Sequence, residues 1–127
     1  MGVNEYEKLD KAIQEATAGA RPVYVDDNGQ FFEFGRVLTT PKYSAYIRIG
    51  EGCDNCCSYC AIPLIRGGYR SRPKVDIIAE VKRLVSEGVK EFTLIAQDTT
   101  RYGKDLYGRY ALAELIHKIT EETSISH

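Results

Sequence analysis

Four cysteines fall between residues 53 and 60, and the chain has no others. Disulfides inside so short a segment would join no distant parts of the chain, so the clustered thiols indicate a metal site. Cys53, Cys57 and Cys60 have the spacing C-x3-C-x2-C, which can supply three thiolates to a 4Fe-4S cluster. The fourth iron of such a cluster would have no protein ligand.

An open iron has a specific chemical use. The amino and carboxylate groups of S-adenosylmethionine (SAM) can chelate it, and an electron from the cluster can then cleave the sulfonium to a 5'-deoxyadenosyl radical. The cysteine spacing therefore predicts two cofactors, a 4Fe-4S cluster and SAM.

A zinc site is the alternative for the same four thiols. Cys53 with Cys56, and Cys57 with Cys60, form two C-x2-C pairs that could close a tetrahedral site in a small zinc-binding interaction module. Structural zinc sites usually take their two pairs from well-separated segments, whereas here the adjacent Cys56 and Cys57 would both have to reach one ion. On the cluster hypothesis Cys56 is not a ligand, so its removal distinguishes the two sites.

The elements around the cysteines alternate between strand and helix patterns. Ala45, Ile47 and Ile49 alternate with polar or aromatic residues, and Val75, Ile78, Val81 and Val85 form a helical stripe. The predicted order is a strand over 45–49, a helix over 73–87, a strand over 92–96 and a helix over 112–119. Such an order implies parallel strands joined by a right-handed crossover. Both loops at the carboxyl ends of the strands then lie on the face that carries the active site in α/β proteins.

The first part of the chain predicts a helix followed by a β-hairpin. Asn4 can cap the helix with Glu7 three residues later, and Gly19 and Pro22 end it. Its apolar positions follow helical spacing: Tyr6, Leu9, Ile13 and Ala16. The hairpin pairs 23–25 with 31–34 around an Asn-Gly turn at 28–29, because Asn-Gly accepts the positive φ angles of a tight turn.

A linked series of motifs surrounds the cysteines, in the segments 45–53, 57–63, 66–67 and 70–73. With this series, the sequence resembles the radical SAM methylthiotransferases from roughly Tyr43 to Ile119. The resemblance implies that Cys53, Cys57 and Cys60 bind the cluster and that Tyr59 lies near the adenine of SAM. It also implies that a second cluster, in an upstream domain, supplies the sulfur.

The segment 96–108 resembles one branch of that family most, the enzymes that modify an aspartate of the small-subunit ribosomal protein uS12. The tRNA-adenosine branch remains an alternative, although it usually has Gln-Asn where Gln97-Asp98 stand. Both residues follow a predicted strand at its carboxyl end, so we predict that they bind cofactor. No catalytic side chain is predicted in this chain.

The resemblance implies the N-terminal part of a (β/α) TIM-like partial barrel, an α/β fold. Residues 1–41 would be the tail of an upstream domain and a linker, and residues 42–127 the start of the radical SAM domain. Two strands cannot close a barrel, so the chain is predicted to be an incomplete piece whose parent protein carries the activity.

Charge and composition limit the other functions. The chain has 17 Lys and Arg against 18 Asp and Glu, a net charge of -1, so direct nucleic-acid binding is not expected. The sequence has neither a signal-peptide pattern nor an apolar run of about 20 residues, which predicts a cytoplasmic protein without a membrane partner. Arg66, Arg70 and Arg72 could orient the SAM carboxylate or pair with acidic side chains.

Overall fold

A computed structural model describes residues 1–2, 5–25 and 37–123 of the chain. It divides into two units, residues 1–35 and 36–127. The sequence-based boundary after residue 41 stays a prediction.

The first unit contains the predicted N-terminal helix. A 3-10 helix over Tyr6–Lys8 continues into α1, Leu9–Thr17, and Gly19 follows with a φ of +87° that ends the helix. Within this unit the Tyr24 hydroxyl donates a hydrogen bond of 2.8 Å to Glu15. The predicted cap at Asn4 and the turn and second strand of the predicted hairpin lie outside the described residues.

The second unit contains the predicted strand and helix alternation, with five short elements added. Its elements are β1 (Ser44–Arg48), β2 (Gly50–Glu51), α2 (Ile62–Arg66), β3 (Arg70–Ser71), α3 (Lys74–Ser86), β4 (Glu91–Ile95), a 3-10 helix (Thr99–Arg101), α4 (Lys104–Tyr107) and α5 (Leu112–Glu122). Among the helices of the described ranges, none has the length and apolar character needed to cross a membrane.

The strands β1 and β4 pair in parallel, as the order of elements predicted. Ala45 lies opposite Phe92 and Ile47 opposite Leu94. The two-residue strands β2 and β3 pair antiparallel, a contact that the sequence did not predict because elements of this length show no periodicity. The fold is α/β, with the helix α3 connecting the two parallel strands.

One face of the β1–β4 sheet is covered by the core. Ala45 and Ile47 are fully buried, whereas Tyr46 and Ile95 on the opposite face are 50% and 41% exposed. The helices α3 and α5 contribute six more buried apolar side chains to this core: Ile77, Ile78, Val81, Leu84, Leu115 and Ile119.

The apolar stripe of α3 differs from the predicted one at its first residue. Val75 was expected to face the core but is 70% exposed, while Ile77 is fully buried. Residues two apart are rotated by about 200° around a helix, so the face that buries Ile77 and Val81 turns Val75 to the opposite side. The prediction for Val75 was therefore wrong.

Tyr102, directly after the 3-10 helix, is fully buried in the core, and its hydroxyl donates a 2.9 Å hydrogen bond to the carbonyl of Arg72. Burial raises the pKa of this phenol well above its usual range. We expect Tyr102→Phe to lower the free energy of unfolding by about 1–2 kcal/mol, because the buried carbonyl would lose its partner. Tyr110→Phe, at a 66% exposed position, is the matched control for urea denaturation. Equal losses of unfolding free energy in the two variants would show that the hydrogen bond of the Tyr102 hydroxyl does not stabilise the core.

Candidate metal centre

The cysteine loop, residues 52–60, begins at the carboxyl end of the β1 and β2 segment. Gly52 has a φ of +77°, and a Cβ at this position would lie 2.1 Å from the carbonyl oxygen of Gly68 and 2.7 Å from that of Gly67. The next residue, Cys53, donates its backbone N–H to the Gly67 carbonyl at 3.1 Å. The start of the loop is thus held against the backbone that follows α2, and only glycine permits this approach.

All four thiols are unbridged. Cys53 is buried, Cys60 is partly buried, and Cys56 and Cys57 are exposed. The backbone N–H of Cys60 donates to the carbonyl of Cys57 at 3.1 Å, so the second and third predicted ligands lie on one turn.

This donor set fits a 4Fe-4S cluster in type, number and position on one loop. Within the part of the chain that the structure describes, no three His, Cys, Asp or Glu side chains are gathered closely enough to hold a metal ion. Cys57 is exposed, and packing therefore does not prevent its side chain from turning toward Cys53 and Cys60.

The second predicted loop, residues 96–101 after β4, reaches the cysteine loop through Asp98. One oxygen of the Asp98 carboxylate accepts hydrogen bonds from the backbone N–H of Thr100 at 3.1 Å and from its hydroxyl at 2.6 Å. The other oxygen accepts from the side-chain amide of Asn55 at 3.1 Å. The structure therefore brings the cysteine loop and the loop after β4 together at the carboxyl end of the sheet. Gln97 lies next to Asp98 in sequence and is exposed.

The contacts of Asp98 shift its titration. Hydrogen bonds from the Thr100 hydroxyl and the Asn55 amide, together with the charge of Arg101, hold the pKa of the carboxyl below its ordinary value. A lowered carboxyl pKa gives a stabilisation that is complete above the unfolded-state pKa and is lost as pH falls through the folded-state pKa.

We therefore expect the Thr100 amide signal in NMR to titrate with a midpoint below the ordinary pKa of an aspartate carboxyl. Asp98→Asn should abolish this titration, whereas Asp76→Asn, which changes an exposed acid in the first turn of α3, should leave it unchanged. A midpoint at or above the ordinary aspartate pKa would show that the Thr100 and Asn55 contacts do not hold the carboxylate.

Two of the three predicted arginines, Arg66 and Arg72, pair with carboxylates, which is the second of the two predicted roles. Glu51 is buried beside Gly52; it forms an ion pair with Arg48 at 3.0 Å and another with Arg66. Arg72 pairs with Glu80 of α3. Neither Glu51 nor Asn55 was predicted as part of the site, because the only signal for them in the sequence is their position close to the cysteines.

Tyr59, predicted to lie near adenine, is 91% exposed. It belongs to the turn between Cys57 and Cys60. Its ring therefore presents an open aromatic face beside the predicted ligands, and the adenine contact stays a prediction.

A family model described as the radical SAM superfamily matches residues 47–126. The chain belongs to the radical SAM superfamily. Membership implies a 4Fe-4S cluster and SAM as cofactors and supports the cluster over the zinc module. As a radical SAM protein, the chain has its three-thiol motif near the start of the family match, on the loop after β2.

Individual relatives agree with this assignment. The chain is 52% identical over 127 residues to the ribosomal protein uS12 methylthiotransferase RimO of Clostridium tetani (strain Massachusetts / E88), covering 98% of this chain and 29% of the relative. It is 52% identical over 122 residues to the RimO of Clostridium acetobutylicum, covering 94% of this chain and 27% of the relative. It is 50% identical over 123 residues to the RimO of Clostridium botulinum (strain Hall), covering 95% of this chain and 28% of the relative. The chain thus spans less than a third of the length of these curated relatives.

Proposed function

We propose that the protein containing this chain is a radical SAM methylthiotransferase that adds a methylthio group to an aspartate of ribosomal protein uS12. The observation that carries the proposal is the position of three unbridged thiols on the loop after β2, in contact with the loop after β4 through Asn55 and Asp98. Relatives named uS12 methylthiotransferase share about half of the residues over nearly the whole chain.

The residues of this chain have distinct roles in that proposal. Cys53, Cys57 and Cys60 hold three irons, and the buried start of the loop at Cys53 fixes where the cluster attaches. Bound there, the cluster and SAM supply reductive cleavage of the sulfonium. Tyr59, Gln97 and Asp98 contact SAM from the two loops.

The domain arrangement belongs to the same proposal. Residues 42–127 form the N-terminal part of a TIM-like partial barrel, and residues 1–41 are the tail of an upstream domain with a linker. The parallel pairing of β1 with β4 and the helices on one face of the sheet support this arrangement. The protein acts on the small ribosomal subunit in the cytoplasm, without a membrane or direct nucleic-acid contact through this chain.

The substrate is tested with the reconstituted intact protein, SAM, a reductant, and either small ribosomal subunits or unmodified tRNA. We expect peptides of uS12 to gain the mass of one methylthio group in place of hydrogen at an aspartate, and the tRNA to remain unmodified. A Cys57→Ala variant should give neither product. Modified adenosine with unchanged uS12 would instead support the tRNA branch.

A further inference from the structure

Asp54 follows the first predicted ligand, Cys53, and its carboxylate joins the cysteine loop to two other segments. One oxygen accepts the backbone N–H of Tyr69, just before β3, at 2.8 Å. The other accepts from the guanidinium of Arg101, in the 3-10 helix after β4, at 3.2 Å. A single side chain therefore connects three segments that are distant in sequence.

Neighbouring contacts show that the first part of the loop is the anchored part. Cys53 bonds to the Gly67 carbonyl on one side of Asp54, and Asn55 bonds to Asp98 on the other. Residues 56–59 are exposed, and the turn bond between Cys57 and Cys60 lies inside the loop itself. The position of the later cysteines thus depends on how residues 53–55 are held.

We infer that Asp54 is a positioning residue for the cluster, acting through the loop that carries Cys53, Cys57 and Cys60. This inference rests on the proposed function, because it assumes that the three thiolates share a 4Fe-4S cluster. Hydrogen bonds to an ionised carboxylate are stronger than neutral ones, and groups that orient metal ligands commonly change metal retention when they are removed. Asp54 touches neither the irons nor SAM in this role.

The first test measures the rate at which the reconstituted intact protein loses iron to an excess of chelator without oxygen. We expect iron release to be about tenfold faster in Asp54→Ala. Asp54→Asn keeps an oxygen for the Tyr69 N–H but loses the charge that faces Arg101, so its effect should be smaller. Glu91→Gln, which neutralises an exposed acid at the opposite end of β4, is the matched control and should release iron as the unaltered protein does.

The pairing with Arg101 is tested by a double-mutant cycle. Arg101→Gln should also accelerate iron release, and its combination with Asp54→Asn should be no worse than the more severe single variant, because both remove the same contact. The electron paramagnetic resonance spectrum of the reduced cluster should change in Asp54→Asn but not in Glu91→Gln. Strictly additive rates, or an unchanged spectrum and rate, would overturn the inference.

A second measurement does not need the cluster. Amide hydrogen exchange of the iron-free protein should be faster at Tyr69 and across residues 53–60 in Asp54→Ala, with the amides of α3 and α5 unchanged. Unchanged exchange in the loop would refute positioning by Asp54, and general acceleration would show a loss of folding instead. If the unaltered protein takes up no cluster, the proposed function fails, while the exchange result still tests the anchoring of the loop.

Discussion

Replacing Cys57 with alanine should leave the protein without a 4Fe-4S cluster, while Cys56→Ala, one position earlier, should leave the iron content unchanged. Both thiols are exposed, so neither substitution removes packing from the core. The difference between them is chemical: in the proposed site Cys57 would supply one of the three spaced thiolates, whereas Cys56 would supply none. Loss of one ligand would expose a second iron of the cluster, which destabilises the whole assembly.

The measurement is anaerobic reconstitution, followed by iron and sulfide analysis, absorption spectra, and electron paramagnetic resonance with and without SAM. The unaltered protein and Cys56→Ala should be brown, and their reduced-cluster signals should change when SAM is added. Cys57→Ala should show neither colour nor signal. A colourless unaltered protein that binds one zinc, and loses it in Cys56→Ala, would contradict the cluster assignment and favour the four-thiolate zinc site.

Gly52→Ala should lower the free energy of unfolding by about 3 kcal/mol and detach the cysteine loop from the segment after α2. The new Cβ would lie 2.1 Å from the Gly68 carbonyl oxygen, and the φ of +77° adds backbone strain for alanine. The atom in the way belongs to the backbone, so no side-chain rotation can relieve the clash. The hydrogen bond from Cys53 to Gly67 should weaken as the two segments separate.

Gly108→Ala provides a matched control for the strain alone. Gly108 has a φ of +67°, but nothing lies within 4 Å of its ideal Cβ position. We expect this variant to lose about 1 kcal/mol, the typical cost of a left-handed conformation for a residue with a side chain. Urea denaturation of both variants measures the difference, and equal losses would show that the close approach at Gly52 does not constrain the loop.

The sequence predicted the long elements of the second unit well, because each of them buries one face. The helix expected over 73–87 is found as Lys74–Ser86, and the strand expected over 92–96 as Glu91–Ile95. Alternating burial along β1 and apolar repeats along α3 are direct consequences of strand and helix geometry. The parallel pairing then followed from the order of the elements.

The polar contacts that shape the candidate site were not predictable in the same way. Asp54 meets Arg101 across 47 positions of the chain, and Asn55 meets Asp98 across 43. Neither pair produces a periodic pattern, because each contact depends on where two loops emerge from the folded sheet. The strands β2 and β3 are two residues each and were missed for a related reason.

The pairing register of β1 with β4 has a consequence for the chemistry at the end of the sheet. Ile47 faces Leu94, and the carbonyl of Ile95 accepts the N–H of Ile49 at 2.9 Å. A slip by one residue would displace β4 by about 3.3 Å along β1 and turn its side chains to the other face. The register therefore sets the distance between the cysteine loop and the loop after β4. Substitutions of the buried apolar residues that hold this register can alter cofactor retention, even though none of these residues is polar.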